Sequence, residues 1–146
     1  MEKSDVITTL NELVEISRDG EQGFLAAAED VQNPTLKSVF RAAAARCGEG
    51  ARELESKIVS LGGEPARGGS MTGAMHRAWT NLKAALASRS ERAVLEEVER
   101  GEDAAKDAYQ QAIAQPLPPE IRSVVQRQYQ GVKENHDRVR SLRDAA

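Results

Sequence analysis

The sequence predicts an all-α protein, an antiparallel bundle of four long helices with one shorter helix between its two hairpins. Apolar residues recur at alternating spacings of three and four along four long segments, which is the period of a helix that buries one side. Aromatic residues make up only 3% of the chain, and β-branched runs with period-two alternation are missing. We therefore expect closely packed helices that form a single domain over residues 1–146.

The first predicted hairpin covers residues 5–62. Its first helix is capped by Ser4-Asp5 and ends before Pro34, because proline lacks a backbone donor and restricts the residue before it. Thr35 is predicted to cap the second helix, which Gly62-Gly63 terminates. The expected buried stripes are Leu10, Val14, Ser17, Glu21, Phe24, Ala28 and Val31, and then Leu36, Phe40, Ala43, Cys47, Gly50, Leu54, Ile58 and Leu61.

The second predicted hairpin covers residues 90–143 and follows a linker, residues 63–89, that contains the short crossover helix. Ser90 is a natural helix cap, and the proline-rich segment 115–119 separates the last two helices. The last helix is expected to begin at Pro119, since proline fits the first helical position. The expected buried stripes are Leu95, Val98, Glu102, Ala105, Tyr109 and Ala112, and then Ile121, Val125, Gln128, Val132, Asn135, Val139 and Leu142.

The two hairpins resemble each other when the chain is shifted by 81 residues without gaps. This shift aligns Gly20-Glu21 with Gly101-Glu102 and Arg46 with Arg127. Both the apolar stripes and the helix breaks also align, which favours a duplication over chance similarity between helical segments. Two hairpins joined by a long crossover form the ferritin-like arrangement of a four-helix bundle.

Each half of the repeat places one glutamate, Glu21 or Glu102, on an apolar stripe. A carboxylate buried there must be paired, protonated or bound to a metal. A ferritin-like di-metal site takes one glutamate from each of two helices and a Glu-x-x-His motif from each of the others. The chain contains no Glu-x-x-His motif. Glu49 and His136 are the remaining candidate ligands for a di-iron or other divalent-metal site, which is therefore predicted to be degenerate.

Arg46 and Arg127 offer a second explanation of the two glutamates. A guanidinium group can keep a buried carboxylate ionised through a bidentate contact. We hypothesise that these arginines, or glutamine side chains, hold Glu21 and Glu102 where related proteins hold metal. His136 is interpreted either as a displaced ligand or as a residue at the edge of the stripe that is hydrogen-bonded to a neighbouring carboxylate.

Composition excludes several classes of function. A net charge of −3 without a basic face gives no electrostatic basis for binding nucleic acid. No segment is apolar enough to span a membrane, and no secretion signal precedes the first helix. Cys47 is the single cysteine, which excludes an internal disulfide and fits a reducing compartment. A cytoplasmic location is expected.

Three segments resemble a known bacterial family. They are LGGEP at residues 61–65, HRAW at residues 76–79 and ERGED at residues 99–103. The family is uncharacterised and is described as a ferritin-like four-helix-bundle domain of unknown function. The resemblance covers nearly the whole chain and implies the ferritin-like fold, with relatedness to rubrerythrin-type and bacterioferritin-type proteins. Only Glu21 and Glu102 correspond to metal ligands of those relatives.

The expected function is structural or stress-related, without catalysis, in a protein that forms a homodimer. The alternative is a di-iron ferroxidase, a peroxidase or an iron-handling protein that uses Glu21, Glu102 and Glu49, with His136 as a supplementary ligand. A third interpretation is an adaptor whose crossover helix docks a partner through Met75 and Trp79.

Overall fold

The computed structural model describes residues 1–67 and 73–146, and the described residues form helices without any strand. Four long helices and one shorter helix are observed, which confirms the predicted all-α architecture. In chain order they are α1 (Lys3–Asp30), α2 (Pro34–Ser60), α3 (Gly73–Ser88), α4 (Glu91–Ile113) and α5 (Pro119–Ala145). None of the helices in the described part of the chain combines the length and the apolarity that a bilayer crossing requires.

The start of α2 differs from the sequence prediction. Asn33, not Thr35, is the cap: its side-chain oxygen accepts the backbone N–H of Thr35 at 2.9 Å and of Leu36 at 3.4 Å. Pro34 takes the first helical position, where its missing N–H has no intrahelical partner to lose. Thr35 therefore lies inside the helix.

The start of α1 also differs, because the helix begins at Lys3 and Asp5 lies in its first turn instead of capping it. Two other predicted boundaries are confirmed. Ser90 accepts the N–H of Ala93 at 3.2 Å, and Gly62 ends the first hairpin at a φ of +84°, a conformation that favours glycine.

The helices pack as two hairpins, α1 with α2 and α4 with α5, and α3 lies against α4 and α1. The apolar core is divided into two clusters. One contains the paired rings of Phe24 and Phe40, whose centroids are 6.1 Å apart, together with Leu82 of α3. The other contains Leu10, Leu54, Ile58 and Val125 among its most buried members. The side chains of Met75, His76 and Trp79 lie outside the described residues.

Candidate functional site

Glu102 of α4 is a buried carboxylate with protein partners. Its side chain is only 4% exposed, and its Oε1 accepts a hydrogen bond from Asn135 Nδ2 of α5 at 2.6 Å. The guanidinium group of Arg46, from α2, lies 3.5 Å from the same oxygen. Burial raises the pKa of Glu102, while Arg46 and Asn135 act in the opposite direction. Through these two contacts, Glu102 links α4 to α2 and to α5.

A glycine on α5 makes room for Arg46. A Cβ atom placed on Gly131 would lie 3.2 Å from Cδ of Arg46, which is closer than most side-chain contacts. The absence of a side chain at Gly131 therefore lets the Arg46 stem pass α5 on its way to Glu102. Because 31% of the Arg46 side chain is exposed, water also contacts it, in addition to the Glu102 carboxylate.

Glu21, the repeat-related glutamate, lies in a different environment. Arg18 on the same helix binds its Oε1 at 3.0 Å, and the same arginine binds Glu55 of α2 at 2.8 Å. The other Glu21 oxygen lies against the α2 backbone at Gly48, where a Cβ atom would overlap it. Glu21 therefore joins α1 to α2 and is partly exposed, and it is not paired with an arginine of the opposite hairpin.

Arg127, the repeat mate of Arg46, pairs with Glu53 of α2 and not with Glu21. Gln128 Nε2 also donates to Glu53, at 2.9 Å, and the pKa of Glu53 is lowered chiefly by Arg127. The hypothesis of two equivalent ion pairs is thus corrected: the structure places Arg46 beside Glu102, but it does not place Arg127 beside Glu21. The exposed Arg127–Glu53 pair contributes little stability.

His136 is more deeply buried than a residue at the edge of the stripe would be. Only 5% of it is exposed, and its Nε2 lies 2.6 Å from Asp103 Oδ1 and 3.8 Å from Glu99 Oε2. Its Nδ1 lies 3.3 Å from Asp137. The interpretation of His136 as a residue hydrogen-bonded to a neighbouring carboxylate agrees with these contacts. Its predicted position at the edge of the stripe was wrong, because the side chain is buried.

Glu99 is a buried polar residue that the sequence analysis did not single out. It is 8% exposed, and its carboxylate accepts a hydrogen bond from Arg143 near the end of α5. Glu99 and Glu102 are three residues apart on α4, a spacing that places two side chains on one helix face. This spacing was visible in the sequence and could have identified a second buried carboxylate.

A cavity of about 740 Å³ lies between the two hairpins, and residues of all five helices line it. Arg46 and Glu102 are in its wall, together with Glu49, whose side chain is exposed, and Cys47. Burial raises the pKa of Cys47 to about 12, so the thiol is protonated at neutral pH and is a poor nucleophile. The wall also contains the repeat-related glycines Gly20, Gly50, Gly101 and Gly131.

The side chains present do not fit the ligand set of a di-metal centre. Among the described residues, no three His, Cys, Asp or Glu side chains come together in a way that could hold a metal ion. Glu21 is bound by Arg18, and His136 contacts Asp103 instead of the cavity glutamates. Glu102, the best placed candidate, already has a guanidinium cation beside it. That positive charge would repel a divalent cation at the same oxygen.

We expect Gly101→Ala to raise the free energy of unfolding by about 1 kcal/mol, because glycine in a helix interior costs about that much relative to alanine. A Cβ atom at Gly101 would meet no other group within 4 Å. Urea denaturation followed by circular dichroism measures the change. The matched control is Gly20→Ala, where the Cβ atom would lie 3.1 Å from Cys47 Sγ and the gain should be smaller. Equal gains would contradict the predicted difference in space between the two positions.

Two hairpins joined by a crossover helix, with one buried glutamate, Glu102, at mid-bundle, define a protein of the ferritin-like helical-bundle class. The chain belongs to the family described as Domain of unknown function (DUF2383), whose model matches residues 5–115. It is also similar in structure to a mutant of Dps1 from Mycobacterium smegmatis, with a TM-score of 0.76 over 96% of this chain and 95% of that chain. At 13% identity this likeness shows the fold alone, and it confirms the predicted ferritin-like architecture. Comparison with curated proteins gives no match.

Proposed function

We propose that this protein is a ferritin-like bundle in which a protein cation has replaced the di-metal centre, and that its role is structural or stress-related instead of catalytic. The observation that carries the proposal is the Arg46 guanidinium group, 3.5 Å from the buried carboxylate of Glu102. A buried carboxylate needs a positive or hydrogen-bonding partner, and here Arg46 and Asn135 supply both.

The cost of metal binding supports the proposal. A divalent ion at Oε1 of Glu102 would have to displace Arg46 and break the 2.6 Å hydrogen bond from Asn135. It would gain few new ligands in return, since Glu21 and His136 are bound elsewhere. The chain therefore keeps the shape of the ferritin-like fold with a different charge balance at its centre.

The stress-related part of the proposal is supported by the fold. The ferritin-like fold, shared with a Dps1 structure, suggests a family concerned with iron handling or stress. Because the residues do not fit a metal centre, a role without bound iron agrees best with the site. The homodimer and the cytoplasmic location stay predictions, and sedimentation equilibrium of the purified chain tests the first of them.

Metal analysis tests the proposal directly. We expect protein folded in the presence of iron, manganese and zinc, and then desalted, to contain far less than one metal ion per chain by mass spectrometry of the elements. The Arg46→Met variant keeps the apolar stem but removes the competing cation, and is the informative comparison. Two ions per chain in the wild-type protein, the content of a di-metal site, would contradict the proposal.

The second candidate function is a di-iron or iron-handling activity that uses Glu102, Glu21 and Glu49. It is favoured by one observation, a buried carboxylate with a raised pKa in the wall of a mid-bundle cavity. Iron oxidation assays with oxygen and with peroxide separate the two candidates. Turnover by the wild-type protein that is lost in Glu102→Gln would support the second and overturn the first.

A further inference from the structure

We propose that the mid-bundle cavity is a binding site for a small organic cation, an alkylamine whose ammonium group pairs with Glu97 and whose carbon chain lies on the apolar wall. The inference rests on the proposed function in one respect: the cavity carboxylates must be free of bound metal ions, so that they can bind the amine. Replacement of a metal centre by Arg46 does not explain why the cavity is there, and a bound amine would.

The cavity has the size and the surface of a ligand site. Its volume of about 740 Å³ lies within the range of roughly 300–1,000 Å³ that is typical of small-molecule pockets. Aliphatic and aromatic side chains form much of its wall, and they are contributed by four helices. They include Ile16, Phe24, Leu82, Val98 and Val132. An apolar chain of several carbons would be removed from water there, which favours binding.

The charge of the lining favours a cation. Five carboxylates face the cavity against two guanidinium groups. Both guanidinium groups have carboxylate partners within the lining, Arg46 with Glu102 and Arg127 with Glu53. Glu97 also has an arginine partner, Arg100, which lies outside the lining, so the remaining excess of negative charge is small and favours a cationic ligand over an anionic one.

Glu97 of α4 supplies the specific contact. Its Oε1 is bound by Arg100, while its Oε2 is buried and has no hydrogen-bond partner in the described part of the chain. Buried carboxylate oxygens are rarely left without a donor, because the lost hydration is not replaced. The Glu97 side chain is 13% exposed and belongs to the cavity wall. An ammonium N–H group of a bound ligand would satisfy this oxygen.

Gly101 keeps the space beside Glu97 open. The two residues are four apart on α4, so they are neighbours on one helix face. A side chain at Gly101 would meet no protein atom within 4 Å of its Cβ, although glycine is unfavourable inside a helix. We place the ammonium group in the open volume at Gly101, one helical turn from Glu97.

Three probes of equal chain length test the proposal: hexylammonium, hexanol and hexanoate. Each is titrated into the isotope-labelled full chain, freed of metal with a chelator, and binding is followed by protein NMR. We expect the cation to bind most tightly, the alcohol more weakly and the anion most weakly, with shifts centred on cavity residues. Preferred binding of hexanoate, or no binding of hexylammonium, would overturn the proposal.

Variants on α4 locate the site. Glu97→Gln should weaken hexylammonium binding about tenfold or more and leave hexanol binding unchanged, since a charge-assisted hydrogen bond is lost. Glu96→Gln is the matched control, because Glu96 also pairs with an arginine, Arg92, at 3.2 Å, but does not line the cavity. Equal effects of the two substitutions would overturn the assignment of Glu97.

Gly101→Leu tests the volume itself. The added side chain is much smaller than the cavity of about 740 Å³, but it should occupy the space beside Glu97 and weaken binding of hexylammonium, while circular dichroism shows a folded protein. Unchanged binding in a folded Gly101→Leu variant would place the ligand elsewhere. Metal content is measured separately on protein that has not been treated with chelator, so failure of the proposed function appears as bound metal and failure of this inference appears as absent amine binding.

Discussion

Arg46→Met is expected to lower the free energy of unfolding by about 2 kcal/mol near neutral pH. The substitution keeps the apolar stem and removes the guanidinium group, which lies 3.5 Å from Glu102. The Glu102 carboxylate, 4% exposed, would keep Asn135 as a donor but lose its charge partner. Urea denaturation followed by circular dichroism measures the loss.

The repeat mate provides the control for this prediction. Arg127→Met removes the same charge from a side chain that is 62% exposed and paired with Glu53, so its cost should stay below about 1 kcal/mol. Equal costs of the two substitutions would contradict the view that burial of Glu102 makes the Arg46 contact important.

The pH dependence gives a second readout for Arg46→Met. Burial already raises the pKa of Glu102 in the folded protein, and removal of Arg46 should raise it further. Below the unfolded-state pKa of glutamate the carboxyl group is protonated in both states, so the variant and the wild-type protein should differ little there. The deficit of the variant should grow as the pH rises above that value, because the unfolded state then releases its proton while the folded state, with its higher Glu102 pKa, still holds one.

His136→Ala is expected to lower the free energy of unfolding by about 2–3 kcal/mol. The imidazole is 5% exposed, and its removal leaves a cavity between α4 and α5. The same substitution removes the 2.6 Å contact with Asp103 and the 3.8 Å contact with Glu99. Thermal and urea unfolding measure the combined loss.

Asp103→Ala separates the two parts of this loss. The aspartate side chain is 60% exposed, so the cost of removing it should stay below about 1 kcal/mol. Should Asp103→Ala prove as costly as His136→Ala, the stability would come from the ion pair and not from burial of the imidazole.

The fold could be predicted from the sequence because its determinants are periodic and local. The stripe from Leu10 to Val31 is buried except at Glu21, and Pro34, Gly62 and Pro119 mark helix ends where the structure has them. The cap of α2 was missed because Asn33 and Thr35, on either side of Pro34, are both good caps, and the position of the proline decides between them.

The site was predictable only in part, because helix periodicity places a side chain on a face but does not choose its partner. Glu21 and Glu102 are equivalent in the sequence repeat. Arg18, three residues before Glu21 on the same helix, binds that carboxylate, while Glu102 has no basic residue at the corresponding position, which is Glu99. Glu102 is therefore bound by Arg46 from across the bundle. Such a difference becomes visible only when both hairpins are in place.

The cavity was not predictable from the stripes either. Gly50 lies on a predicted stripe and Gly131 is its repeat mate, but Gly50 accommodates Gln128 and Gly131 accommodates the stem of Arg46. Gly101 has open space where its Cβ would lie, and only three-dimensional packing distinguishes these cases. The buried Oε2 atom of Glu97 is likewise a property of the assembled bundle.

The central claim, that Arg46 is the counter-ion of Glu102 in place of a metal, is tested most directly by a double-mutant cycle. The cycle compares Arg46→Met, Glu102→Gln and the double variant by urea denaturation of metal-free protein near neutral pH. We predict a favourable coupling free energy of about 1–2 kcal/mol, as expected for residues in contact within one charged group. A coupling free energy near zero would contradict the claim.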